Sequence, residues 1–310
     1  MGRRVTVDPG ASAHGDDGEG GQPAPSRVGY SAAQRQRLAE LTITGGVEDA
    51  SFPSVAERDR SFEEAQGRLV GQNLDRLQSL RVSERRVGLR RLEARLVDLL
   101  TAAGFVEVTT PLLMGRGSLE KLGLEADHPL WRQIYSVGEA RYLRPMLAPG
   151  LYHLLSHLQR LWPLPVRVFE VGPCFRKESQ GAGHLTEFTM LNLVELGPEG
   201  PARDRLEKLA AMVMDTLGLP YSLREKESEV YGATVDVEVD GLEVATGVAG
   251  PHPLDRHWDL IDPWAGWGFG LERLAMATEG SRQIHRFGRG LAYLDGARLN
   301  VQPSRARRRT

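Results

Sequence analysis

Apolar residues recur along this chain in two rhythms, one helical and one alternating. Val87, Leu89, Leu92, Leu96, Leu99 and Leu100 fall at helical spacing. Ser83 can cap the start of that helix and Gly104 can stop it in a left-handed C′ position. "FVEVTTP" follows as a predicted strand that must end at Pro111, because proline has no N–H for a ladder. Residues 30 to 82 repeat the helical spacing with Arg, Gln and Glu between the apolar positions.

From residue 142 the text "YLRPMLAPGLYHLLSHLQRLWPLP" predicts a short strand, then a helix with Pro149 in its first turn. Leu151, Leu155, Leu158 and Trp162 share one face, with Ala148, Tyr152 and Leu155 on an adjoining one. Core packing accounts for Leu158 and Trp162. Ala148, Leu151, Tyr152 and Leu155 begin a helix just after a strand end, where sheet proteins often place ligands. Two hairpins follow. "VRVFEV" and "TMLNLVEL" flank the first, and the second alternates on both sides of Asp240-Gly241. "PWAGWGFGLERLAMATEG" then runs from a glycine-rich strand into a helix carrying Glu272 and Arg273.

Composition narrows the class. The 310 residues carry a net charge of -2, so any basic footprint for nucleic acid must be local. The one cysteine, Cys174, excludes an intramolecular disulfide and a cysteine-rich zinc site. The chain shows no signal-peptide pattern and no apolar run of about 18 residues, so a soluble, cytoplasmic protein is expected. Residues 1–27 have almost nothing to bury and read as a disordered lead. Residues 28–82 read as a helical segment, 83–301 as one domain, and 302–310 as a basic tail with Arg305, Arg307, Arg308 and Arg309.

The first hairpin is too polar for a plain turn. It spends Arg176, Lys177, Glu178, His184, Thr186 and Glu187 within a dozen residues. Alternation puts Arg176 and Glu178 on one face and Lys177 on the other. On the returning strand Phe188, Met190, Asn192 and Val194 share a face, with Leu191, Leu193 and Glu195 opposite. A guanidinium can clamp a phosphate, a carboxylate can accept from an adenine amino group, and a ring can stack on the base. Surface ion pairs would explain Lys177 and Glu187. They do not explain Asn192 amid apolar residues, since a buried amide needs a partner. In the second hairpin strict alternation separates Glu243 from Thr246, so joint action requires a twist or a bulge, which Gly247 would permit.

The order of these pieces resembles the catalytic core of class II aminoacyl-tRNA synthetases. The resemblance runs from about residue 30 to 301 and rests on "LRPMLAP", "FRKE" at 175–178, "HLTEFTMLN" and "GFGLER" at 268–273. It implies an α+β fold with an antiparallel sheet flanked by helices, and a homodimer paired through residues 84–111. Within the class the motifs look most like the branch that activates pyrrolysine, an Nε-acylated lysine, and loads it on tRNA(Pyl). The implied ATP site takes Arg176, Lys177, Glu178, His184, Leu185, Thr186, Glu187, Phe188, Gly268, Phe269, Gly270, Leu271 and Arg273. Arg176, Glu243 and Arg273 would be catalytic, and Glu243 with Thr246 would bind magnesium. Met146, Ala148, Leu151, Tyr152, Leu155, Leu193, Val194, Val248 and Trp264 would line the amino-acid pocket, with Tyr231 as a lid. Asn192 would hydrogen-bond the side-chain amide carbonyl.

The resemblance also implies a tRNA held by shape and phosphate contacts on the helical segment. The small N-terminal tRNA-binding domain of longer members has no counterpart here. Either a separate small tRNA-binding protein supplies it, or the enzyme works without one. A class II enzyme for another amino acid, such as phenylalanine, would share the motifs, but Asn192, Tyr152 and the roomy wall of Ala148 and Val194 do not suit it. A non-catalytic relative would be expected to lack one of Arg176, Glu178, Glu243 and Arg273, and all are present.

Overall fold

The computed structural model describes residues 27–177 and 184–301, so Glu178, most of the lead and the basic tail lie outside the described residues. Strand β1 (Val28–Gly29) pairs antiparallel with β2 (Ser51–Phe52) around helix α1 (Ala32–Leu41). Ser31 and Gln34 cap α1 reciprocally, side chain to backbone. Ser54 caps the long α2 (Val55–Ser79) by accepting from the Glu57 N–H. The helical segment expected before residue 83 is therefore present.

Ser83 is not a helix cap. It lies in a π-turn, Leu80–Glu84, and its hydroxyl donates to the Ser79 carbonyl at 2.9 Å. Helix α3 (Gly88–Ala102) begins after Val87, and its Gly88 N–H is satisfied from far away, by the side chain of Asp295. Gly104, with φ +83°, stops α3 as expected. Leu96 and Leu100 are fully buried, and Leu89, Leu92 and Leu99 pack on the same core, so the apolar stripe of α3 is spent within the chain. Strand β3 is only Val106–Glu107. Ladder bonding ends with the Val108 N–H on Phe169, short of Pro111.

A small sheet follows, β4 (Leu113–Gly115), helix α4 (Arg116–Glu120), β5 (Ser136–Val137) and β6 (Arg141–Leu143), in order β4-β6-β5. Helix α5 (Ala148–Leu158) buries Leu151, Tyr152 and Leu155. It ends before Trp162, which is 38% exposed rather than packed in the core, because the chain leaves the helical path through three further residues.

The remaining elements are β7 (Val166–Phe175), β8 (Glu187–Leu196), α6 (Ala202–Leu217), β9 (Ser222–Ser228), β10 (Gly232–Val239), β11 (Leu242–Ala249), β12 (Trp264–Gly270), α7 (Leu271–Thr278), β13 (Tyr293–Leu294) and β14 (Ala297–Arg298). Seven strands form one sheet, β3-β7-β8-β12-β11-β10-β9, antiparallel except where β3 joins β7. This is the expected α+β architecture.

Alternation along β8 shows how the sheet serves two purposes. Leu191 and Leu193 point into a core with α3, α6 and α7, while Val194 joins a second core with Leu151, Tyr152, Leu155, Val248 and Trp264. The helical front end is bound to the C-terminal segment. Arg286 donates to the Ala39 and Glu40 carbonyls at 2.9 Å each, and buried Asn73 bridges the Leu41 carbonyl and the Arg298 N–H. No helix among the described residues is long and apolar enough to cross a membrane.

Candidate active site

The α5 face of the sheet holds a cavity of about 440 Å³. Its first wall is the β7–β8 hairpin. Ladder pairing runs one residue past the strands, with the Arg176 N–H on the Thr186 carbonyl at 3.0 Å, so Arg176 arrives on the cavity side. Its Nε donates to the Pro145 carbonyl at 2.9 Å, and its guanidinium lies 5.3 Å from the Phe188 ring centroid. Phe188, Met190, Asn192 and Val194 line the cavity below it, as alternation requires.

Glycines open the middle of the floor. A Cβ at Gly268 would sit 3.0 Å from Met190 Cε and 3.3 Å from the Asn192 carboxamide oxygen, so glycine there leaves room for the amide. Asn192 Oδ1 is buried without a hydrogen-bond partner among the described residues. An unmet acceptor in a mostly apolar wall is costly unless something else engages that amide.

The second wall is the β10–β11 hairpin. Asp240 and Gly241 both take positive φ, 50° and 78°, as the expected two-residue turn requires. The bulge is present but not at Gly247. Register slips between Val237 and Glu238, which oppose Ala245 and Glu243, so Val244 is the extra residue. That shift brings Glu243 and Thr246 to the same cavity. Gly247 serves a different need, since a Cβ there would come within 2.7 Å of the Trp267 ring.

Glu243 and Thr246 each have a partner. Thr246 Oγ1 donates to Asp236 Oδ1 at 2.8 Å, and Lys226 Nζ lies 3.1 Å from Asp236 Oδ2. That hydrogen bond to Asp236 raises the Lys226 pKa above its ordinary value. Arg273 Nη1 donates to Glu243 twice, to the carbonyl at 3.1 Å and to Oε1 at 2.9 Å. The adjoining Glu272 is buried, and its carboxylate accepts from the Thr189 N–H at 2.9 Å, tying the start of α7 to β8. Burial raises the Glu272 pKa, against the pull of that N–H.

Met146, Ala148, Leu151, Tyr152 and Leu155 form the third wall, closed by Tyr231, Val248 and Trp264. Tyr152 stacks on Trp258 at 5.6 Å and meets Trp264 edge-on at 5.6 Å. Burial, then the neighbouring Tyr231 and Asp255, push the Tyr152 pKa far up, so it is a neutral phenol.

The cavity thus gathers most of the expected residues, including His184, Leu185, Gly268 and Gly270. Several others lie elsewhere. Lys177 turns away, its N–H on the Gln133 carbonyl and its ammonium 5.4 Å from the Tyr135 ring. Glu187 pairs with Arg289 at 3.1 Å, and Thr186 gives its carbonyl to the ladder. Phe269 and Leu271 point to the opposite core, as alternation from Gly268 and Gly270 dictates. Leu193 adjoins the cavity, but its side chain belongs to that same opposite core. Lys226, Asp236 and Met190 were not among the expected residues. Asp236 was within reach of sequence reasoning: "TVDVEV" alternates, and counting across the Asp240-Gly241 turn with the bulge pairs it with Thr246.

A cavity with two arginines, four carboxylates and an apolar end, on this antiparallel sheet, defines a class. Residues 76–294 match the family model described as tRNA synthetases class II core domain (F). The chain belongs to the class II aminoacyl-tRNA synthetases.

Within that class its family is that of the pyrrolysyl-tRNA synthetases. It is 44% identical to pyrrolysyl-tRNA synthetase from Desulfitobacterium hafniense, covering 88% of this chain and 98% of that one, with a TM-score of 0.80. A second structure of that organism's enzyme gives 44% identity, a TM-score of 0.82, and coverage of 89% and 100%. More distant is O-phosphoserine–tRNA(Cys) ligase from Methanothrix thermoacetophila, 30% identical over 55% of this chain and 34% of the relative. The chain spans about a third of the length of the curated relatives it matches first.

Proposed function

We propose that this chain activates pyrrolysine, or a similar Nε-acylated lysine, with ATP and transfers it to tRNA(Pyl). The observation that carries the reading is Asn192, a carboxamide with an unmet oxygen in an otherwise apolar pocket beside two anchored arginines. A long aliphatic side chain fills the apolar walls, and an amide N–H at its far end can donate to Asn192 Oδ1. The 44% identity to pyrrolysyl-tRNA synthetase supports the same reading. An aromatic amino acid would leave that amide unmet.

Arg176 and Arg273 are pre-anchored, on the Pro145 carbonyl and on Glu243, so neither must be ordered when ATP binds. The amino-acid carboxylate attacks the α-phosphorus in line and pyrophosphate leaves, the charge on the phosphate oxygens offset by the two guanidiniums. The terminal hydroxyl of the tRNA then attacks the adenylate carbonyl and AMP leaves. Phe188, beside Arg176, offers a ring face for the base.

Glu243, Thr246 and Asp236 supply only oxygen donors, which fits a hard divalent cation. No group of three His, Cys, Asp or Glu residues among the described residues could hold a metal alone. Magnesium would therefore share its shell with phosphate oxygens, and its role when bound is to neutralise charge on them.

The tRNA surface we assign to α2 is narrower than its arginine count implies. Arg58 is paired with Asp59, and Arg76 with Glu279 and Asp295, whereas Arg60 and Arg68 are exposed without an ion pair among the described residues. A homodimer is supported by exposed Val106, Leu112, Leu113 and Val137 rather than by the buried stripe of α3. Pyrophosphate exchange with a panel of amino acids tests the function. Exchange with Nε-acylated lysines is expected, and exchange with phenylalanine alone would defeat it.

A further inference from the structure

Behind the apolar end of the cavity sits a carboxylate that the proposed chemistry does not use. Asp255 is 4% exposed and lies in the 3-10 turn Pro253–Trp258, between β11 and β12. Its Oδ2 accepts the Trp264 indole N–H at 2.9 Å and the His252 backbone N–H at 2.6 Å. The His252 ring extends the chain of contacts. Its Nδ1 accepts from the Leu254 N–H at 3.2 Å, which leaves the ring proton on Nε2, and Nε2 donates to the Tyr231 carbonyl at 2.9 Å. Tyr152 completes the cluster: its hydroxyl and Asp255 Oδ1 are both buried without a hydrogen-bond partner among the described residues.

Three aromatic residues wall this end of the cavity, and they come from three elements: Tyr152 from α5, Tyr231 from the turn before β10, and Trp264 from β12. Trp264 reaches Asp255 directly, Tyr231 reaches it through His252, and Tyr152 packs edge-on against Trp264. A cap for a short turn does not by itself need burial, because a solvated Asp caps as well. Burying an ionised carboxylate is costly, so its partners have to be matched closely. Here the partners are the indole of a pocket wall and the backbone that carries, through one imidazole, the tyrosine facing it.

We infer that Asp255 is a positioning residue for the amino-acid substrate, fixing Trp264 directly and Tyr231 through His252 so that the aromatic walls keep one spacing around the substrate side chain. The inference rests on the reading of this cavity as an amino-acid pocket. It assigns Asp255 no contact with ATP.

The test is Asp255→Ala, which removes the one oxygen that both donors share. Pyrophosphate exchange is measured with whichever amino acid supports it in the unmodified protein. The KM for that amino acid is expected to rise about tenfold or more, while the ATP KM and kcat stay within about twofold. His252→Asn is the second variant: it keeps an N-cap acceptor for Leu254 but is too short to hold the Tyr231 carbonyl. A rise of about threefold in the amino-acid KM alone is expected there. An unchanged amino-acid KM in the folded variants, or an equal rise for ATP, would overturn the inference. Should Asp255→Ala not fold, the His252→Asn split decides in the same way. Absence of exchange by the unmodified protein with every amino acid would instead defeat the proposed function.

Discussion

Two of the arginine–glutamate pairs in this domain have opposite characters. Arg144 and Glu170 meet at 2.6 Å with side chains 3% and 1% exposed. Arg273 and Glu243 meet at 2.9 Å with side chains 29% and 40% exposed. The first pair is closed. Arg144 also donates to the Pro173 and Thr110 carbonyls, and Glu170 accepts the Thr110 N–H and hydroxyl, so the network has its partners inside the fold. It joins the chain before Pro111 to the hairpin that carries Arg176. The second pair is open, and Arg273 keeps donors for a ligand while Glu243 holds it in place. A charge with all its partners met holds structure; one with donors to spare can do chemistry.

The largest effect should come from opening the closed pair. Arg144→Ala leaves Glu170 buried without its cation and should cost about 3–5 kcal/mol of stability. Urea or thermal unfolding checks it, and a loss below about 1 kcal/mol would show that the network is dispensable. Opening the other pair should do the reverse. Arg273→Ala, or Arg176→Ala, should fold with little loss, near the about 0–1 kcal/mol of an exposed pair. Adenylate formation should fall about 100- to 1,000-fold, read by pyrophosphate exchange. Near-normal exchange by either folded variant would remove that arginine from the site.

Asn192→Ala should act on selectivity more than on rate. Exchange with an Nε-acylated lysine should drop about 10- to 100-fold, while aromatic amino acids gain relative to it. Full retention of selectivity would place recognition elsewhere in the cavity. The smallest effect belongs to α2. Removing Arg60 and Arg68 together should weaken tRNA binding evenly and lower the salt slope by about 1 to 2, measured by filter binding across salt concentrations. Loss of binding that depends on the anticodon would point to base reading instead.

The contrast between the pairs was only half visible in the sequence. Arg176 and Asn192 stood out because each breaks a local pattern, a guanidinium at a hairpin or an amide in an apolar strand, whereas the role of Arg273 followed only from the family resemblance. The hairpins and their Asp240-Gly241 turn were legible for the same reason, since alternation and turn chemistry are local. What was hidden is long-range. The cap on Gly88 comes from Asp295, and the bulge beside Glu243 is a property of pairing with β10, not of either strand alone. Gly247 looked like a bulge residue, yet it is needed by the Trp267 ring packed over it. Lys177 and Glu187 shared the hairpin's charge but not its face, because each found a partner on another segment.

The account stands most directly on where a substrate pair would sit. A crystal structure of the chain with a non-hydrolysable ATP analogue and an Nε-acylated lysine would show it. The expected result places the α-phosphate between Arg176 and Arg273, with the acyl amide hydrogen-bonded at about 2.9 Å to the Asn192 carboxamide. A nucleotide bound away from both arginines, or an acyl group turned out of the cavity with Asn192 still unmet, would contradict it.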